Sequence, residues 1–283
     1  MVEELRQEYL VGEEIGRGRF GVVHRCSALS TGDIFAVKSI DKSQLSDAID
    51  REGVELEATL ACVASIDNPG VVPVHAVYEN TDSIHLVMEL CEGPDLLEWL
   101  QVRPKPQVSE PEAAIIMAQL MQTIAICHKR EIAHRDIKPD NILFDRDGRV
   151  RLSDFGSAAW FGTQNGMENK LSGLVGTPCY VAPEVLRGGE YDEKIDVWSA
   201  GVVMYIMLSG GAVPFGGDTP ADVFGAVLRG NLRFPFRIFE GVSSAAKDLM
   251  RKMICRDTSR RLTAEQVLMH PWIVTGGTVM DRS

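Results

Sequence analysis

The stretch His134-Arg135-Asp136-Ile137-Lys138-Pro139-Asp140-Asn141, followed by Asp154-Phe155-Gly156, limits this chain more than any other feature. Pro139 restricts its own backbone and that of the residue before it, so the first segment reads as a shaped loop and not as a helix face. The thirteen steps from Asn141 to Asp154 fit one hairpin, with strands Ile142-Leu143-Phe144 and Val150-Arg151-Leu152 around the turn Asp145-Arg146-Asp147-Gly148. That turn also resembles the start of a calcium-binding EF-hand loop. The twelfth loop position is Gly156, where a glutamate is needed, so the hairpin is the better reading. A loop, a hairpin and a second loop bring two carboxylates and one amide together. One carboxylate could orient a hydroxyl. The amide and the other carboxylate could hold metal ions that bridge phosphates. Either triplet alone arises by chance, but the pair at this spacing is far more specific.

Upstream, Gly16-Arg17-Gly18-Arg19-Phe20-Gly21 sits between apolar flanks. Glycine lets backbone N–H groups approach phosphate oxygens closely. The pattern alone fits a dinucleotide-binding turn or a plain hairpin. A dinucleotide site needs a helix directly after the glycines. Val22-Val23-His24-Arg25-Cys26 is β-branched and half alternating, which predicts strand–turn–strand. Ile34-Phe35-Ala36-Val37-Lys38 is a third strand that ends on a lysine. Residues 42–64 have helical tendency, with Glu52, Glu55 and Glu57 as acids that could pair with Lys38. Glu57 is best placed, just before Leu60-Ala61-Cys62-Val63. Gly53 weakens that helix by roughly 1 kcal/mol relative to alanine. Further strands are read at Val71-Val72-Pro73-Val74 and Ile84-His85-Leu86-Val87-Met88. Helices are expected at 95–102, from the capping-box signal Ser109-Glu110-Pro111-Glu112 through about His128, at 192–208, from Thr219-Pro220, at 245–254 and at 263–269.

The chain has 283 residues, enough for two lobes, and a net charge of −11. An acidic surface argues against nucleic acid as main partner, because phosphate backbones need clustered Lys and Arg. It suits a partner segment that carries basic residues. The longest apolar stretch, 197–208, is too short to span a bilayer and reads as a buried helix, so no membrane role is expected. The six cysteines are dispersed without a C-x-x-C pair, and residues 1–5 lack the apolar core of a signal peptide. Both point to reduced thiols in a cytoplasmic protein.

These motifs in this order resemble a eukaryotic protein kinase over about residues 9–273. Val23 and the Ala36-Val37-Lys38 triplet stand where that family's loop and third strand require them, and Gly176-Thr177-Pro178-Cys179-Tyr180-Val181-Ala182-Pro183-Glu184 matches the end of its activation segment. The resemblance implies an α+β bilobal fold, with a small antiparallel-sheet lobe over 1–90 and a larger helical lobe over 91–283. It implies ATP and Mg²⁺ as cofactors. Gly16, Arg17, Gly18, Gly21, Val23, Ala36, Lys38, Met88, Glu89 and Cys91 would line the nucleotide site, with Met88 at its back and Glu89 to Cys91 as the hinge. Lys38 would contact the α- and β-phosphates and pair with Glu57. Asp136 would orient the substrate hydroxyl, Lys138 would neutralise charge on the transferred group, and Asn141 and Asp154 would hold the metal. Asp196 and an Arg261–Glu184 pair would be structural. Thr163, Ser172 and Thr177 are hydroxyls of the activation segment. Thr177 is expected to contact the catalytic loop, and activity is expected without phosphate on the segment.

Lys138 in this loop resembles serine/threonine kinases. Finer features, Asp154-Phe155-Gly156-Ser157-Ala158-Ala159-Trp160-Phe161-Gly162 and Leu232-Arg233-Phe234-Pro235-Phe236-Arg237-Ile238-Phe239, resemble plant phosphoenolpyruvate carboxylase kinase within the calcium/calmodulin-dependent group. That family is nearly a bare catalytic domain, which implies a calcium-independent monomer. It implies phosphoenolpyruvate carboxylase as partner, through a serine beside basic residues read by acids such as Asp95 and Asp140. Gly93-Pro94-Asp95 departs from the usual Gly-Gly-Glu, so the catalytic domain of another calcium-dependent-like kinase is the alternative. A non-catalytic scaffold is a further alternative, opposed by the presence of Lys38, Asp136, Asn141 and Asp154.

Overall fold

The protein is described by a computed structural model covering residues 3–18, 21–45, 48–164 and 167–278, without the side chains of 44, 48–53, 55, 163–164 and 167–168. The expectations that touch Arg19, Phe20, Glu52, Glu55 and the Thr163 hydroxyl lie outside what is described.

Helix α1 (Glu3–Glu8) leads into strands β1 (Tyr9–Arg17), β2 (Gly21–Ala28) and β3 (Ile34–Asp41). Helix α2 (Ala48–Ser65) then crosses to β4 (Val74–Glu79) and β5 (Ser83–Glu89). All pairings are antiparallel, in the order β1-β2-β3-β5-β4. Register pairs Val23 with Lys38, Lys38 with Leu86 and Ala36 with Met88. Paired residues share a face and alternate residues return to it, so Val23, Ala36, Lys38, Leu86 and Met88 lie on one side of the sheet. On that side Ile40, Leu45, Val54, Ile84 and Leu86 form a buried cluster with α2. On the other side Leu5 joins Cys26, Val37 and Val87. Leu5 is the buried residue of α1, and Tyr78 Oη donates to Glu8 Oε2 at 2.8 Å nearby. The sequence gives no signal for α1. Six polar-rich residues carry no helical stripe, and the helix is held by one leucine against the sheet.

Two elements differ from expectation. Residues 42–64 are not one helix: Lys42–Gln44 make a single tight turn capped by Asp41, and α2 starts at Ala48. The strand read at Val71–Val74 begins only at Val74. Val72 N donates instead to Leu152 O at 3.0 Å, and Leu152 N donates to Gly70 O at 2.7 Å. The apolar run is buried either way, so its pattern could not say which lobe would bury it.

The large lobe contains α3 (Leu96–Gln101), α4 (Glu110–Lys129), β6 (Ile132–Ala133), β7 (Ile142–Phe144), β8 (Val150–Leu152), β9 (Ala159–Trp160), β10 (Gly162–Gln164) and β11 (Met167–Asn169). It continues with α5 (Pro183–Arg187), α6 (Lys194–Ser209), α7 (Pro220–Arg229), α8 (Phe236–Phe239), α9 (Ser244–Met253), α10 (Ala264–Leu268) and α11 (Pro271–Val274). Ser109 and Thr219 close the capping boxes of α4 and α7. Every residue from Ile195 to Leu208 is buried, so α6 is the axle of this lobe. Gly201 allows close packing there: a Cβ would lie 2.8 Å from Ile254 Cγ1. The lobes are stitched at the rear, where Asn68 Nδ2 donates to Thr123 O at 3.2 Å. Among the described residues no helix is long and apolar enough to cross a membrane.

Candidate active site

Strand β3 carries Lys38 at its fifth position and runs on to Asp41; Lys38 reaches between α2 and the loop after β8. Its Nζ donates to Glu57 Oε1 at 2.6 Å and to Asp154 Oδ1 at 2.7 Å. Lys38 is 7% exposed and Glu57 is 2% exposed. Burial pulls the Lys38 ammonium down, but the two carboxylates outweigh it and hold the lysine charged. Burial pushes the Glu57 carboxyl up, against the pull of Lys38. On Asp154 the same burial is outweighed by Lys38, and its carboxyl is lowered. An ammonium has three N–H groups, so one remains for a further acceptor. Gly156 packs closely here: a Cβ there would sit 3.1 Å from Glu57 Oε2 and 3.3 Å from Asp154 Oδ1, so both carboxylates would have to give by a few tenths of an ångström. Asp154 itself has a left-handed backbone, φ 62° and ψ 78°, a conformation that non-glycine residues keep only where surroundings enforce it.

The loop after β6 is braced from below by Asp196 at the start of α6. Its fully buried carboxylate accepts from His134 N at 2.8 Å, Arg135 N at 2.8 Å and His128 Nε2 at 2.9 Å. Burial alone would raise this carboxyl. The His128 hydrogen bond and charge outweigh it and keep the group low. His134 in turn donates through Nε2 to Ser153 O at 2.9 Å and accepts from Asp136 N at 3.3 Å. Its ring meets Phe155 edge to face at 4.9 Å between centroids. The loop is thereby fixed both to α6 and to the segment carrying Asp154.

Asp136 stands above this support. Its Oδ1 accepts from Thr177 Oγ1 at 2.9 Å, and its Oδ2 accepts from Lys138 Nζ at 2.7 Å. Asn141 donates through Nδ2 to Asp136 O at 2.9 Å. Ser153 N donates to Asn141 O at 3.0 Å, which sets Asn141 beside the residue preceding Asp154. Val23, Ala36 and Met88 share the sheet face of Lys38. Gly18 N donates to Gly21 O at 2.9 Å and closes the glycine turn. Gly21 has no room for a side chain, since a Cβ would meet Ser39 O at 2.6 Å. Arg17 instead pairs with Glu14 at 2.8 Å on the exposed surface. At the rear, Glu89 N is committed to Pro73 O at 3.1 Å, which leaves the Glu89 carbonyl as its candidate group for a ligand edge.

A buried lysine thus bridges two carboxylates, beside an aspartate that accepts from a hydroxyl. The family described as "Protein kinase domain" matches residues 9–273. This chain is a protein kinase. The serine/threonine-protein kinase PEPKR2 of Arabidopsis thaliana is 43% identical over 271 residues, covering 96% of this chain and 54% of that protein. Calcium-dependent protein kinase 14 of the same plant is 40% identical, covering 96% and 50%, and calcium-dependent protein kinase 2 of Zea mays is 38% identical, covering 99% and 53%. The chain spans about half the length of the curated relatives it matches. It is a serine/threonine kinase of the group that contains the calcium-dependent enzymes.

The kinase site offers hard oxygen donors, the Asp154 carboxylate and the Asn141 amide oxygen, the set that Mg²⁺ takes together with substrate phosphates. The donor chemistry therefore fits the metal. Of the three acids proposed for Lys38, the structure brings Glu57 to it. Arg261 and Glu184 form a bidentate pair, at 2.5 Å and 3.0 Å, with Arg261 1% exposed. Asp95 has a structural task, since its Oδ1 accepts from Glu98 N at 2.7 Å and caps α3. One supporting residue escaped the sequence reading. His128 gave no signal because it lies on the apolar helix α4, 68 positions from its partner Asp196.

Proposed function

We propose that this kinase transfers the γ-phosphoryl group of ATP to a serine or threonine flanked by basic residues, and that phosphoenolpyruvate carboxylase is its protein substrate. The observation that carries the chemistry is the single network joining Lys38, Glu57 and Asp154 next to the group of Asp136, Lys138, Asn141 and Thr177. In this reading Lys38, held by Glu57, gives its third N–H to the α- and β-phosphates. The glycine turn of Gly16, Arg17, Gly18 and Gly21 closes over the phosphates. Val23, Ala36 and Met88 enclose the adenine, whose edge pairs with backbone of Glu89 and Cys91. Mg²⁺, held by Asn141 and Asp154, neutralises phosphate charge when bound. Asp136 orients the attacking hydroxyl and accepts its proton. Lys138 balances charge on the group in transfer.

The substrate rests on the sequence resemblance and on the acidity of the chain. Asp95 and Asp140 lie near enough for Asp140 to raise the Asp95 carboxyl, though burial is the larger cause, so the two supply concentrated negative charge beside α3. Calcium independence, a monomeric state and a cytoplasmic location belong to the same reading; the last agrees with six free cysteines. A second reading is favoured by the similarity to calcium-dependent kinases, which makes this chain the catalytic part of such an enzyme with another substrate.

Phosphate transfer from labelled ATP separates the two. Phosphoenolpyruvate carboxylase, its variant with the N-terminal serine changed to alanine, and generic basic peptides are assayed with calcium chelated and Asp154→Ala as blank. Labelling that vanishes with the serine supports the proposal. Labelling of peptides alone keeps the kinase and discards the substrate.

A further inference from the structure

Arg135 directly precedes the proposed catalytic aspartate, and its backbone is left-handed at φ 67°. That geometry turns its guanidinium away from Asp136 and into the activation segment. Nε donates to Ser157 O at 2.5 Å, and Nη1 donates to Ser172 O at 3.1 Å. One side chain thus ties the beginning of the segment to its middle. Ser172 O has a second donor, Tyr191 Oη at 3.0 Å, and the same hydroxyl reaches Gly173 O at 2.9 Å. The Tyr191 oxygen also faces Arg135 Nη1 at 3.5 Å. A phenol has one proton and two lone pairs, so it can give its proton to this pair of carbonyls while its oxygen accepts from the guanidinium. Tyr191 is 6% exposed, and its backbone N donates to Leu171 O at 2.9 Å. The ring is therefore buried, and its backbone is anchored by a bond that does not involve the hydroxyl.

The path from this hydroxyl to the reacting groups is short. Gly176 has a φ of 95°, and a Cβ there would meet Arg135 O at 2.8 Å, so the segment passes hard against the catalytic loop. The next residue, Thr177, donates to Asp136 Oδ1. Residues 172 and 173 are the last point fixed by Tyr191 before this turn.

We propose that Tyr191 is a positioning residue: its hydroxyl, shared between the Ser172 and Gly173 carbonyls and the Arg135 guanidinium, holds the activation segment so that Thr177 aligns the Asp136 carboxylate. The proposal rests on Asp136 having the role given above. It assigns to a tyrosine and three neutral carbonyls the ordering that a negative group opposite Arg135 could otherwise supply. Burial pushes the Tyr191 phenol up, against Arg135, so the group stays protonated and able to donate.

The test is Tyr191→Phe, which keeps the ring and removes the hydroxyl, assayed on a generic basic peptide so that the identity of the protein substrate does not enter. The expected result is a fall in kcat of roughly three- to tenfold, with KM for ATP unchanged, as one positioning hydrogen bond warrants. A role in folding alone would lower the midpoint of unfolding and leave kcat per folded molecule intact. Thr177→Val supplies the decisive background. If Tyr191 acts through Thr177, adding Tyr191→Phe to Thr177→Val changes kcat no further. If the two losses multiply, or if Tyr191→Phe turns over at the parent rate, the proposal is overturned. A readout independent of activity is tryptic cleavage after the exposed Lys170, expected to be several-fold faster in Tyr191→Phe because the segment opens locally more often. Cleavage at the parent rate counts against the proposal.

Discussion

In the small lobe the five-stranded sheet carries one small buried cluster on each face. The large lobe packs around one continuous core that reaches Trp272 and also takes in Leu60, Ala61 and Ala64 from α2. The charged groups of the cleft are supported accordingly. Asp136 stands on a loop that is bonded to the interior through Asp196 and His134. Lys38 stands on a thin sheet and takes its orientation from two carboxylates, one of which belongs to the other lobe. Support from a core makes a residue's loss a stability event. Support from a partner across a cleft makes it an activity event.

The sharpest test of that contrast is Arg261→Met. It leaves Glu184 without its bidentate partner in a buried setting, where breaking one side of an ion pair costs about 3–5 kcal/mol. The unfolding free energy from urea titration should fall accordingly, and a loss smaller than about 1 kcal/mol would break the comparison. Asp196→Asn should cost about 3 kcal/mol, because one amide oxygen replaces a carboxylate that serves three donors. This variant also carries a pH signature. The folded carboxyl is held low, so its contribution is complete above the unfolded aspartate value of about 3.9 and is lost as pH falls from there through the folded value. Asp196→Asn should flatten that acid limb of the stability curve, read as the change in midpoint between neutral pH and acid.

Lys38→Met probes the other kind of support. It should lower kcat/KM by roughly a hundredfold or more, the effect of removing one preorganised charge from a reacting site. The unfolding midpoint should move far less than in Arg261→Met, since Glu57 can take up a proton once the lysine is gone. A midpoint loss as large as that of Arg261→Met would show that the cleft pair is structural. The smallest effect is expected from Gly21→Ala. The added methyl meets the Ser39 carbonyl, and the two strands must part to admit it, at about 1 kcal/mol confined to the sheet. Hydrogen exchange should report the change in β2 and β3 and none in α6.

The residues that could be read from sequence share a property: each sits in a short, rigid local pattern. The Asp136–Asn141 loop, the hairpin of β7 and β8 and the glycine turn all follow from prolines, glycines and alternation within a few residues. Glu57 was preferred over Glu52 and Glu55 only because an apolar run follows it. Its ion pair, 19 positions from Lys38, needed the fold. Val71 and Val72 show the limit most plainly, because a buried apolar pair satisfies either lobe equally well and only the positions of Gly70 and Leu152 in space settle the choice.

Sequence by itself therefore determined which chemical groups the kinase carries, where the capped starts of α4 and α7 fall, and in what order the pieces come. The tertiary structure decided which distant groups share a hydrogen bond: His128 with Asp196, Arg261 with Glu184, and Tyr191 with Arg135 and the Ser172 carbonyl. The reason is physical. Local backbone preference acts over three or four residues, whereas a buried donor or acceptor must find a partner wherever the packed chain happens to bring one.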